Sequence, residues 1–125
     1  MISYINTKNA PEAIGPYSQA IVCKDLMFIS GQMPLDPQTG AIAGNTIEKQ
    51  AEQVMKNIGA VIKAGNADFK DTIKTTCYLA DIKDFAAFNK VYSKYFTGKP
   101  ARSCFAVKEL PKSVLCEVEA VIALN

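Results

Sequence analysis

A chain of 125 residues with 49% hydrophobic and 21% charged residues has the balance of one globular domain, expected to span residues 1–125. The net charge is only +2 and the 14 basic residues are dispersed, so no concentrated basic face for nucleic acid is expected. Histidine is absent, which removes the commonest general base and metal ligand and leaves proton transfer to carboxylate, tyrosine, lysine, cysteine or water.

The first 18 residues contain neither a basic nor an apolar region of the kind a signal peptide needs. No apolar run approaches the roughly 20 residues of a membrane helix, and a cytoplasmic protein is expected. The loop Ala13-Ile14-Gly15-Pro16-Tyr17-Ser18-Gln19 comes first, its Gly-Pro pair forcing a turn that presents Tyr17 at the mouth of the next strand. Ala20 to Lys24 and Met27 to Gly31 read as strands of a hairpin about Asp25-Leu26. The second ends in Ser30-Gly31, where a missing side chain admits close approach of a ligand or marks a bulge.

Asn45-Thr46-Ile47-Glu48 reads as an N-cap followed by glutamate at N3. Ile47, Ala51, Val54, Met55, Ile58, Val61 and Ile62 then recur at helical spacing until Gly65-Asn66. Thr72 to Ala80 alternates as a strand. A second helix begins near Asp84, turns Phe85, Phe88, Val91, Tyr92, Tyr95 and Phe96 inward, and ends by Gly98 and Pro100. Arg102 to Val107 and Val114 to Leu124 read as a closing hairpin about Leu110-Pro111. The fold class expected is α+β, a mostly antiparallel sheet with both helices on one face. Its other face also carries apolar residues, and covering it with copies of the same chain predicts a closed oligomer.

Chemistry concentrates near the C-terminus. Arg102 opens an apolar strand and shares a side with Cys104 and Ala106, while Glu117 and Glu119 share a face of the last strand. Such charges are either a structural ion pair or a functional set. In the expected hairpin Glu117 falls opposite Phe105 and Arg102 nearer Ala120, about 10 Å out of register. A bound ligand or a subunit boundary would then have to bring them together. The four cysteines lack any C-x-x-C pair and read as free thiols, with Cys23, Cys77 and Cys116 as small buried hydrophobes.

With Gly15-Pro16-Tyr17-Ser18-Gln19, Ser30-Gly31-Gln32, Phe88-Asn89, Pro100-Ala101-Arg102-Ser103, Leu110-Pro111 and Glu117-Val118-Glu119-Ala120 in order, the chain resembles the Rid (YjgF) family essentially end to end. The resemblance implies a chorismate-mutase-like fold and a homotrimer with ligand clefts between subunits. It implies hydrolysis of 2-iminopropanoate and 2-iminobutanoate, formed from enamines such as 2-aminoacrylate, to 2-keto acids and ammonia, with no cofactor and no metal. Arg102 would grip the substrate carboxylate in a bidentate fork and Glu117 would activate water and return a proton to ammonia. Tyr17, Ser30, Gly31, Asn89 and Cys104 would complete the substrate-binding set, Cys104 through its backbone because no histidine stands by to make a thiolate. A carboxylate-binding regulator is the alternative, with ribonuclease and chaperone roles behind it.

Overall fold

The computed structural model describes residues 1–125. Six strands, β1 (Ile2–Ile5), β2 (Ala20–Cys23), β3 (Leu26–Gln32), β4 (Thr72–Leu79), β5 (Ala101–Ala106) and β6 (Cys116–Ala123), form one sheet in the order β1-β2-β3-β6-β4-β5. Helices α1 (Ile47–Ala64) and α2 (Phe85–Tyr95) cover one face. The expected α+β class with both helices on one side is observed, and every strand pair is antiparallel except β4–β5.

Alternation decides which side chains meet the helices. Thr75, Cys77 and Leu79 of β4 and Cys116, Val118, Ala120 and Ile122 of β6 are buried beneath them. They pack with Val54, Met55, Ile58, Val61 and Ile62 of α1 and Phe88 and Val91 of α2 in one core. Residues between those positions point to the uncovered face, where Phe28 and Phe105 remain nearly half exposed and Tyr4 is 70% exposed. Burial of an aliphatic or aromatic side chain contributes about 1.5–3 kcal/mol, so the helix-covered face dominates the stability of the isolated chain.

Several sequence expectations shift. The cap of α1 is Thr46, whose hydroxyl accepts from Lys49 N at 3.2 Å, one residue later than Asn45, so Glu48 stands at N2. The β2–β3 turn is Lys24-Asp25, with Lys24 in the left-handed region at φ 57°. Strand β1 was not anticipated. The largest correction concerns the C-terminus, because β5 and β6 are not a hairpin. Strand β4 lies between them, parallel to β5 and antiparallel to β6. A parallel β4–β5 pair needs a crossover, and α2 supplies it. No helix is long and apolar enough to cross a membrane.

Candidate functional site

Arg102 is the second residue of β5, the edge strand, and stands in register with the fully buried Thr75 on β4. Its side chain therefore rises on the helix-covered face and meets α2. Asn89 Oδ1 accepts from Arg102 Nη1 at 2.7 Å, and the guanidinium carbon lies 4.8 Å from the Tyr92 ring centroid and 5.5 Å from that of Phe85. Tyr92 is anchored in turn by a 2.7 Å hydrogen bond between its hydroxyl and Thr75 Oγ1, beneath the core surface. Two successive turns of α2 thus hold the arginine through a side-chain amide and two aromatic faces. Asn89, Tyr92, Phe96, Lys99 and Arg102 line a cavity of about 320 Å³ there.

No carboxylate lies within ion-pair distance of Arg102, although the residue is half-buried. The structural Arg–Glu pair is thereby excluded within one chain. Glu117 is also half-buried and without a cation, but it belongs to the opposite, uncovered face of β6, in register with Tyr78. Burial, reinforced by the Glu119 charge, pushes its carboxyl above the usual carboxylate range. Gly31 approaches it so closely that a Cβ there would collide with the carboxylate, its Cδ lying only 3.0 Å away. The register between Ile29 and Gln32 is irregular, which fits a bulge that brings Gly31 under Glu117.

Ser30 joins the Glu117 group. Its hydroxyl donates to Ser18 O at 2.6 Å, fastening the loop that carries the exposed Tyr17 to the end of β3. The same loop is secured from the other side by Gln19, whose buried amide donates to Thr7 O at 3.0 Å and Pro11 O at 2.9 Å while accepting from Thr7 N at 2.7 Å. The seven expected positions thus divide into two groups. Arg102, Asn89 and Cys104 gather at the β5 edge under α2, and Glu117, Gly31, Ser30 and Tyr17 belong to the uncovered face and its rim.

Sequence reasoning missed Tyr92 and Phe85 as partners of Arg102, because their helical spacing reads as core. It also missed Cys77, which stands directly across the β4–β5 ladder from Cys104. The neighbouring Cys77 thiol and the Arg102 charge outweigh desolvation and lower Cys104 to about 7. Cys104 therefore has the thiolate support that the absence of histidine argued against.

Comparison with known proteins extends over the whole chain. The family profile described as Endoribonuclease L-PSP matches residues 7–124. A RutC family protein, y4sK of Sinorhizobium fredii, is 50% identical over 100% of both chains. The human 2-iminobutanoate/2-iminopropanoate deaminase is 44% identical over 94% of this chain and 86% of its own. The crystal structure of the YjgF gene product of E. coli superimposes with a TM-score of 0.93 at 38% identity, covering 98% of this chain and 99% of that one. With a family match running through both residue groups and a shared fold along nearly its whole length, the chain belongs to the endoribonuclease L-PSP family, that of the YjgF/Rid proteins.

Proposed function

We propose that the protein hydrolyses small 2-imino acids to 2-keto acids and ammonia, in clefts formed between subunits of a homotrimer. The observation that carries the reading is a half-buried arginine, pre-oriented by Asn89 and Tyr92, that has no anionic partner in its own chain. A guanidinium held in a fixed fork beside a cavity suits a planar carboxylate, and the related human protein is named for 2-imino acid substrates.

Arg102 binds the substrate carboxylate and so fixes the imine carbon relative to the attacking water. Glu117 takes a proton from that water as its oxygen bonds to carbon. The protonated imine thereby becomes a carbinolamine; Glu117 returns its proton to the nitrogen, and ammonia departs as the carbonyl forms and the hydroxyl proton passes to solvent. The raised pKa of Glu117 favours both halves of this shuttle, bringing it nearer to neutrality than an ordinary carboxylate. The imine is already electrophilic, so most of the acceleration comes from holding it beside one ordered water.

A single chain keeps Arg102 and Glu117 on opposite faces, so a common cleft requires a neighbour. The uncovered face, with Phe28, Phe105, Tyr4 and Ile21, offers the surface against which a second copy would pack. In this arrangement one subunit supplies Arg102, Asn89 and Cys104 and its neighbour supplies Glu117, Gly31, Ser30 and Tyr17.

The test is release of keto acid from 2-iminopropanoate generated in situ by an amino-acid oxidase. Acceleration by the wild type, and its loss in Arg102→Ala with the oligomer retained, supports the proposal. No acceleration with any of several 2-imino acids refutes it and leaves a carboxylate-binding regulator as the better reading.

A further inference from the structure

The proposed chemistry uses none of the four thiols, and two of them stand together. Cys77 and Cys104 face each other across the parallel β4–β5 ladder, on the same side of the sheet. Neighbouring strands lie about 4.8 Å apart, inside the range of roughly 4.4–6.8 Å between Cα atoms that a disulfide spans.

The two sulfurs differ in access and in charge. Cys77 is fully buried, and the neighbouring Cys104 together with burial pushes its thiol up. Cys104 is half-buried on the edge strand, two residues from Arg102, and drawn down to about 7. An accessible thiolate with a protonated thiol directly behind it is the arrangement of a peroxide-reactive cysteine and its resolving partner. The remaining cysteines lack this arrangement. Cys116 is buried, pushed up to about 12 by burial, and pairs across the ladder with Leu79, while Cys23 lies on β2 opposite Ile2 and Leu26.

We propose that Cys104 and Cys77 form a hydroperoxide-responsive thiol pair that closes reversibly to an intramolecular disulfide. The Cys104 thiolate attacks the terminal oxygen of the hydroperoxide. An S–O bond forms, the O–O bond breaks, and the alkoxide leaves as the alcohol after taking a proton from water. The product is Cys104 sulfenic acid. The Cys77 sulfur then attacks the Cys104 sulfur, the S–S bond forms, and the hydroxyl departs with the Cys77 proton as water. Two electrons pass from the two thiols to the peroxide, and an external dithiol returns them.

The experiment treats the full chain with a small excess of hydrogen peroxide, with and without dimedone, and reads intact mass, free-thiol count and non-reduced peptide maps. The wild type is expected to lose two hydrogens, fall from four reactive thiols to two in denaturant, and join the Cys77 and Cys104 peptides through a bond that dithiothreitol reverses. Cys77→Ser is expected to trap dimedone on Cys104 without a bridge, and Cys104→Ser to do neither. A wild-type thiol count that stays at four, a bridge between other cysteines, or irreversible oxidation of Cys104 without a bridge overturns the proposal. The wild-type map alone decides the matter should a variant fail to fold. None of these readouts requires imine turnover, so the thiol pair and the deaminase activity stand or fall separately.

Discussion

Arg102 and Glu117 lie on opposite faces of one sheet, with strand β4 between their strands and a three-residue offset along it. The offset amounts to about 10 Å, so neither side chain reaches a ligand bound against the other in the same chain. Each is half-buried and unpaired, an unfavourable arrangement for the isolated subunit. In the proposed intersubunit cleft both charges gain a role, each completing the half that the other chain supplies.

Replacing Arg102 by lysine keeps the charge but removes the fork and the stacking on Tyr92. A charge-assisted hydrogen bond contributes about 1.5–3 kcal/mol, so kcat/KM for a 2-imino acid is expected to fall roughly 10- to 100-fold. Thermal unfolding should move by no more than a few degrees. Steady-state kinetics and a melting curve on the same preparation check both halves.

The acidic limb of the rate profile should report Glu117. Its folded-state pKa is raised, so the base becomes protonated, and activity falls, at higher pH than an ordinary carboxylate of about 4.3 would give. The sign for stability is the reverse. A raised acid contributes stability below its unfolded pKa, and that contribution is lost as pH rises through the folded pKa. Glu117→Gln should therefore lose activity across the pH range and melt higher than the wild type at neutral pH. A limb at the ordinary carboxylate value would disprove the assignment.

Gly31→Ala tests the close approach beneath Glu117. The added methyl collides with the carboxylate and must displace it or the bulged strand. Overpacking of this kind costs about 1–3 kcal/mol, and a carboxylate moved by an ångström is expected to lose on the order of 100-fold in rate. Activity should fall far more than stability, as kinetics and denaturant unfolding on one variant would reveal.

The Tyr92–Thr75 hydrogen bond yields a stability prediction. Tyr92→Phe leaves the buried Thr75 hydroxyl without its partner and should cost about 1–3 kcal/mol. Adding Thr75→Val removes the orphaned hydroxyl and should recover part of that loss. A double-mutant cycle in denaturant measures the coupling, and strict additivity would rule it out.

What the sequence made legible follows the range of the interactions. The two helices were readable because Ile47 to Ile62 and Phe85 to Phe96 keep one period through local contacts alone. Strand β1 was not, since its four residues are held only by pairing with β2 and are mostly exposed. The closing hairpin misled because Leu110-Pro111 does form a local turn, whereas the insertion of β4 depends on residues more than 20 positions upstream. The register survived that error. Tyr78 aligns with both Phe105 and Glu117, and Thr75 with both Arg102 and Ala120, so the offset between the two charges was correct although the adjacency was not. That odd offset already puts the two charges on opposite faces, whereas the Cys77–Cys104 pairing was hidden because the expected hairpin left no place for β4 between β5 and β6.

The most direct test of the intersubunit site mixes two inactive variants. Arg102→Ala and Glu117→Gln chains are unfolded together in equal amounts, refolded, and assayed for 2-iminopropanoate hydrolysis. A cleft drawing its arginine from one subunit and its glutamate from the next has an even chance of receiving each intact, so activity should return to about a quarter of the wild-type value. Activity that stays at the level of the separate variants, with mixed oligomers demonstrated by mass, would contradict the shared site.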